Sequence, residues 1–346
     1  MSESKNNLQK NVQTGIPVTI LTGFLGSGKT TLLNHILTKQ EGLKSAVLVN
    51  EFGEIGIDNE LIVKTDEDII ELTNGCICCT INGELLKSID KILERNKQIE
   101  YIIVETTGLA DPLPVAMTIN SARDQLRLDS IITLVDAENF NDEILDSKIA
   151  RSQIIYGDII LLNKCDLVSN ENLSQIESKL SQIKTDPRIL RCIKGDVPIA
   201  LLLSVGLFQS DIVVTNNNHG HDHDHDHDHG HDHDHEHSHD HEHSHDIEQS
   251  SIEGYTSFSF HTKFAFSLRK FQMFLDNHLP PNVYRAKGLL WFEESEITHV
   301  FHLSGKRFTI DDTERDRKRE NKIVLIGKNL DHSKLKEQMN ACVSYE

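Results

Sequence analysis

The sequence predicts an α/β fold, a doubly wound and mostly parallel sheet, followed by a smaller α+β domain. Three observations carry this expectation. Between residues 17 and 208, short apolar runs alternate with amphipathic stretches, the pattern of a parallel sheet covered by helices on both faces. From Asn216 to Ser251 the chain turns polar and histidine-rich, so nothing there can build a core. After Gly254 a new set of short strand and helix patterns begins.

Val18–Thr22, Ala46–Asn50, Tyr101–Glu105, Ile131–Asp136 and Asp158–Asn163 read as buried strands because they are almost continuously Ile, Val and Leu. Leu85, Leu86, Ile89, Ile92 and Leu93 recur at helical spacing, with the helix expected to begin near Asn82. Beyond the polar tract, Tyr255–Lys263 alternates like a strand, and Ser267–Asn277 reads as a helix with Leu268, Phe271, Phe274 and Leu275 on one face. Leu289–Phe292, His299–Leu303 and Lys322–Ile326 read as strands, followed by a helix from about His332 to Ala341. The expected division is a disordered N-terminus at 1–14, a first domain at 15–210, a disordered His/Asp-rich linker at 211–253 and a second domain at 254–346.

A chain of 346 residues is long enough to bury two cores. The net charge of −19 is concentrated, since ten acidic side chains fall between His219 and Asp246 with no Lys or Arg among them. No basic patch marks a nucleic-acid surface. Met1–Gln13 lacks an apolar segment, so no secretory signal is expected. The most apolar stretch, Pro198–Phe208, is shorter than the roughly 20 residues a membrane helix needs. Three of the six cysteines crowd into residues 76–79. That crowding suits thiolate chemistry in a reducing, cytoplasmic compartment better than a disulfide framework.

Gly23-Phe24-Leu25-Gly26-Ser27-Gly28-Lys29-Thr30 matches the phosphate-loop pattern, after the first strand and at the start of a helix. This makes the sheet a P-loop NTPase sheet. Gly23, Gly26, Ser27 and Gly28 would bring backbone N–H groups onto phosphate oxygens at a helix N-terminus. Lys29 would reach the β- and γ-phosphates, the Thr30 hydroxyl would ligate Mg²⁺, and Thr31 completes the segment. Glu105, at the end of a strand, is the candidate outer-sphere Mg²⁺ carboxylate. Gly108 is placed to offer its N–H to the γ-phosphate. Asn163-Lys164-Cys165-Asp166 follows another strand. An ionised Asp166 accepts two hydrogen bonds from a base edge with two donors, which guanine has and adenine lacks. The Lys164 stem would cover the base, and Cys165 would pack. GTP, with GDP as its product, is therefore the expected nucleotide. Lys29, Thr30 and Glu105 are the candidate catalytic residues.

Asn74-Gly75-Cys76-Ile77-Cys78-Cys79-Thr80 places three thiols just ahead of a helix, where thiol pKa falls. Cys76, Cys78 and Cys79 suit a soft or borderline cation, with Zn²⁺ first and Co²⁺ or Ni²⁺ as alternatives. Three thiolates leave a fourth position open, or a ligand comes from elsewhere; Glu51 and Glu54 are reserve candidates. The fourteen histidines between His219 and His245 would bind Zn²⁺, Ni²⁺ or Cu²⁺ as neutral imidazoles, or serve only as a solvated linker. His35, His261, His278, His299, His302 and His332 read as ordinary surface or core histidines.

Together, Gly23–Thr31, Asn50-Glu51-Phe52-Gly53-Glu54, Cys76-Ile77-Cys78-Cys79, Glu105-Thr106-Thr107-Gly108 and Asn163-Lys164-Cys165-Asp166 resemble the CobW-type GTPases, relatives of the HypB and UreG nickel-insertion GTPases. Tyr284–Gly288 and Trp291 resemble that family's C-terminal domain. The resemblance implies a metallochaperone: Cys76, Cys78 and Cys79 hold the metal, and GTP state controls its release to a client metalloprotein. Its readings are zinc delivery, cobalt delivery for cobalamin synthesis, or a histidine-rich metal buffer with incidental GTPase activity. Metal-dependent dimerisation is a further expectation. Neither nucleic acid nor membrane is an expected partner. After Gly108 no glutamine is identifiable as the residue that positions the attacking water.

Overall fold

The computed structural model describes residues 15–39, 44–50, 69–72, 77–95, 98–122, 125–204, 255–313 and 319–345. The expected N-terminal segment 1–14, the linker with its histidine tract, Glu51, Glu54 and Cys76 lie outside the described residues.

In the first domain, β1 (Ile16–Gly23), β2 (Ser45–Asn50), β3 (Ile69–Leu72), β4 (Tyr101–Glu105), β5 (Leu126–Asp136), β6 (Ile159–Asn163) and β7 (Ile189–Arg191) form one sheet. Its order is β3-β2-β4-β1-β5-β6-β7, and every pairing is parallel. The five strands expected from the sequence are present. The four-residue β3 and three-residue β7 are too short to produce a readable period.

Alternation along β1 assigns the two faces. Val18 and Ile20 join Ala46, Leu48, Ile102 and Val104 under α2 (Ile77–Arg95) and α3 (Pro112–Ser121). Leu21 joins Val47, Val49, Ile103 and Leu134 under Leu32, Leu33 and Ile36 of α1 (Lys29–Lys39). A short helix α4 (Asp142–Asp146) precedes α5 (Lys148–Tyr156), and α6 (Asn170–Ile183) follows β6. Ile154 of α5 and Leu173, Ile176 and Leu180 of α6 cover Val135, Ile160 and Leu162. Each such fully buried aliphatic side chain contributes about 1.5–3 kcal/mol. The apolar stretch after Pro198 forms the short helix α7 (Ile199–Leu202), with Leu201, Leu202 and Leu203 wholly buried in the core.

The second domain is a five-stranded antiparallel sheet built from β8 (Tyr255–Thr262), β9 (Val283–Trp291), β10 (Thr298–Ser304), β11 (Arg307–Asp312) and β12 (Asn321–Lys328), in the order β11-β10-β9-β12-β8. Phe258, Phe260, Ala286, Leu290, Phe301, Leu303, Ile323 and Leu325 form its apolar face. That face packs on Phe271 of α8 (Leu268–Met273, continued by a π-helical turn Phe274–His278) and on Leu335 and Met339 of α9 (His332–Cys342). β9 begins six residues before the expected Leu289. The reason is that Tyr284 and Arg285 are buried against the first domain, so their polarity concealed a strand.

The domains meet through β9. The β9–β12 register pairs Ile326 with Arg285 and Gly327 with Val283, leaving Tyr284 unmatched. This bulge re-aims adjacent side chains, so Tyr284 enters the core of the first domain while Arg285 donates to Asp129. Among the described residues, no helix is long and apolar enough to cross a membrane.

Candidate nucleotide and metal site

The phosphate loop leaves β1 with Gly23, Gly26 and Gly28 at φ of 139°, 75° and 100°, conformations that a side chain disfavours. Space adds a second constraint: a Cβ on Gly28 would stand 2.5 Å from the Asn163 amide nitrogen, and one on Gly108 2.6 Å from the backbone nitrogen of Leu25. Lys29 is 8% exposed, and its ammonium donates to the carbonyls of Gly23 (3.0 Å) and Phe24 (3.2 Å). The loop therefore holds its cation inside its own curve, with α1 starting at that residue. Ser27 is fully buried, with a hydroxyl that has no hydrogen-bond partner among the described residues.

Thr30 donates its hydroxyl hydrogen bond to Glu105 Oε1 at 3.3 Å. Glu105 is 5% exposed and pairs in register with Leu21 of β1 and Val49 of β2. A hydroxyl and a carboxylate, both hard oxygen donors, fit Mg²⁺. The chain after Glu105 is tied to β1 through Thr106, which donates from its N–H to the Leu21 carbonyl (2.9 Å) and from its hydroxyl to Thr22 (3.0 Å). Farther along, Gln153 of α5 donates to the carbonyls of Gly108 (3.3 Å) and Ala110 (3.0 Å), and Ser152 donates to Asp111, the N-cap of α3. Two residues of one helix thus hold the loop that carries Gly108.

Asn163 donates to the Ser27 carbonyl at 2.9 Å and accepts from the Gly195 N–H at 3.0 Å. Both ends of its amide are used within the protein, which makes it a positioning residue between the phosphate loop and the chain after β7. Lys164 adopts φ 61°, and its ammonium meets Asp136 at 2.7 Å. Burial pushes Asp136 upward, but the hydrogen bonds from Lys164 and Asn139 outweigh it and hold the carboxyl below the usual range. Asp166 sits exposed on the 3₁₀ turn Cys165–Leu167, open to a base edge. Cys165 packs as expected, its thiol donating to the Leu162 carbonyl at 3.0 Å.

Near the cysteines expected to hold metal, α2 begins at Ile77, five residues before the expected start near Asn82. Cys78 and Cys79 therefore lie in the first helical turn rather than ahead of it, and their side chains fall outside the described ones. The placement of their backbone still decides one question. All seven strands are parallel, so the end of β3 at Leu72 and the start of α2 lie at the same sheet edge as the phosphate loop. β2 and β4 separate β3 from β1, an offset of about 14 Å at ordinary strand spacing. Glu105 ends the strand immediately beside β1 on that route.

Residues 17–191 match the CobW/HypB/UreG nucleotide-binding domain, and residues 255–343 match the cobalamin synthesis protein cobW C-terminal domain. The chain belongs to the CobW family. Among CobW-family relatives, it is 36% identical over 234 residues to zinc-regulated GTPase metalloprotein activator 1 of Dictyostelium discoideum, covering 56% of this chain and 49% of that protein. It is 39% identical over 214 residues to the zinc chaperone YjiA of Escherichia coli K12, covering 60% of this chain and 67% of that one. The chain thus spans about half the length of the first relative and two thirds of the second. A crystal structure of Zn(II)-bound YjiA GTPase from E. coli aligns over 96% of this chain and 100% of that one, at 23% identity and a TM-score of 0.44.

Four site residues escape a reading of motifs in this CobW-family sequence. Asp136, Gln153, Cys192 and Gly195 lie far along the chain from the residues they hold. Only Asp136 left a signal, as an acid at the end of an apolar strand, where ligand-facing residues of such sheets collect.

Proposed function

We propose that this chain is a GTP-hydrolysing metallochaperone that holds Zn²⁺ through Cys76, Cys78 and Cys79 and passes it to a client metalloprotein, with GTP state setting metal retention. The observation that carries the reading is the Thr30–Glu105 hydrogen bond, which joins the phosphate loop to the strand lying between it and the cysteine segment. The names of the relatives, a zinc-regulated metalloprotein activator and a zinc chaperone, support zinc over cobalt.

In this reading Gly23–Gly28 wrap the phosphates with backbone N–H groups. Lys29 moves from the loop carbonyls onto the β- and γ-phosphates, and Asp166 reads the guanine edge while Lys164, steered by Asp136, covers its plane. Thr30 and Glu105 would hold Mg²⁺, which supplies charge neutralisation at the phosphates. Gly108 sits against Leu25 of the phosphate loop, so a γ-phosphate that engages its N–H pulls on a segment held by Gln153, at Gly108 and Ala110, and by Ser152, at Asp111. Loss of that phosphate releases the segment, which is the ordinary way nucleotide state reshapes a neighbouring loop.

The test is Zn²⁺ affinity measured by competition with a chromophoric chelator, in the presence of a non-hydrolysable GTP analogue and then GDP. The reading expects a difference of at least tenfold that disappears in the triple Cys76→Ser, Cys78→Ser, Cys79→Ser variant. Equal affinities in the two nucleotide states would overturn the coupling.

A further inference from the structure

The junction between the domains gathers positive charge around one carboxylate. Asp129 Oδ1 accepts from Arg127 at 3.2 Å, and Oδ2 accepts from both Arg285 and Tyr101. Lys287 and His302 face each other across β9 and β10, and both lie in the field of Arg127, Arg285 and Asp129. Arg285 and His302 are 1% and 7% exposed. Among the described residues, the donors there outnumber the acceptors. Arg127 Nε, Arg285 Nε, His302 Nδ1, Ser304 Oγ and Thr309 Oγ1 are all buried without a hydrogen-bond partner among those residues.

The second-domain atoms of this set share one face of their sheet. Ser304 pairs with Arg285, and His302 pairs with Lys287 on one side and Thr309 on the other. Alternation along the strands turns that set away from the apolar face that carries Ala286, Phe301 and Leu303. Asp311 continues the same face one step beyond Thr309, with Oδ2 buried and unpartnered, and so bounds the donor set on that side. An unmatched buried guanidinium N–H costs about 1–3 kcal/mol or more. An arrangement with two of them, Arg127 Nε and Arg285 Nε, beside one saturated carboxylate calls for another acceptor.

We propose that Arg127, Arg285 and His302, with the hydroxyls of Ser304 and Thr309, form a site at the domain junction for a phosphate-class oxyanion. Guanidinium forks match tetrahedral oxyanions in geometry as well as charge. Arg127 belongs to the first domain and the other residues to the second, so a bound oxyanion ties the two together. Arg127, with its side chain 11% exposed, is less buried than Arg285 and His302.

The probe is inorganic phosphate, titrated into the full chain by calorimetry against chloride at equal ionic strength. Three proteins are compared: the parent, Arg127→Gln, and Lys29→Ala, which disables the phosphate loop. The expected result is saturable binding in the parent, retained in Lys29→Ala and at least tenfold weaker in Arg127→Gln, with GDP binding by Arg127→Gln unchanged. His302→Gln, on the other domain, is the second variant should Arg127→Gln fail to fold, and it is expected to weaken phosphate binding in the same direction. No saturable binding in the parent, its loss in Lys29→Ala, or parental affinity in the folded junction variants would each overturn the proposal.

Discussion

The side-chain amide of Asn163 spans from the Ser27 carbonyl, at 2.9 Å, to the Gly195 N–H, at 3.0 Å. The last residue of β6 therefore joins the phosphate loop to the chain beyond β7. Its consequence is that the end of β6 and the phosphate loop are mechanically one unit.

Asn163→Ala removes these two hydrogen bonds, and the longer one from the Cys192 thiol at 3.5 Å, and leaves the Ser27 carbonyl and the Gly195 N–H without them. With about 1–3 kcal/mol of that loss expressed in nucleotide binding, GDP affinity is expected to fall by roughly fivefold to 150-fold. Far-ultraviolet circular dichroism should show an unchanged secondary structure. Titration with a fluorescent GDP analogue measures the loss, and parental affinity would show that the link carries no energy.

Asp166→Asn exchanges a two-acceptor carboxylate for an amide with one acceptor and one donor group. Guanine then loses one partner, while xanthine, which carries oxygen in place of the 2-amino group, gains one. The variant is expected to bind GDP at least tenfold more weakly and to prefer the xanthine nucleotide. Competition between the two nucleotides decides it, and an unchanged preference for guanine would remove Asp166 from base recognition.

Thr30→Ala and Glu105→Gln are expected to lower GTP turnover by tenfold or more and to raise the Mg²⁺ concentration needed for half-maximal rate. Affinity for GDP without Mg²⁺ should change far less, because the backbone cradle and Lys29 remain. Turnover as a function of Mg²⁺ is the measurement. A uniform loss of nucleotide binding with the same Mg²⁺ dependence would indicate a structural defect instead.

Lys287 predicts a pH effect of definite sign. Burial, reinforced by Arg127 and Arg285 and opposed by Asp129, lowers its pKa to about 8 from the ordinary 10.5. The groups facing it are Arg127 and Asp129 on β5, Arg285 on its own strand and His302 on β10. Between pH 8 and 10.5 the unfolded chain binds this proton and the folded chain does not, so the stability contributed by this residue rises with pH across that window. Lys287→Met, measured in chloride buffer, is expected to unfold at a higher temperature than the parent near pH 7, with the gap closing as pH climbs past 8. A gap that stays constant to pH 10 would refute the assignment.

The phosphate loop, the Glu105 strand end and the Asn163–Asp166 motif were legible in the sequence because each is a local pattern whose chemistry rests on residues a few positions apart. The strands were legible where burial on both faces makes them continuously apolar, as in β1, β4 and β6. Tyr284 and Arg285 were not legible as strand, because their partners, the first-domain core and Asp129, lie more than 150 positions earlier for the ion pair.

By itself the sequence determined the α/β order and put forward the nucleotide chemistry, since hydrophobic period and short-range spacing encode them. It also proposed three thiols as a metal set without saying which edge of the sheet they occupy. The tertiary structure decided that the helix carrying Cys78 and Cys79 starts at the C-terminal end of the parallel strands, as the phosphate loop does, that Asn163 is a brace between loops, and that Arg127, Arg285 and His302 come together across two domains. Those facts depend on parallel strand order and on side chains brought together from distant positions, and no local run of residues records such a meeting.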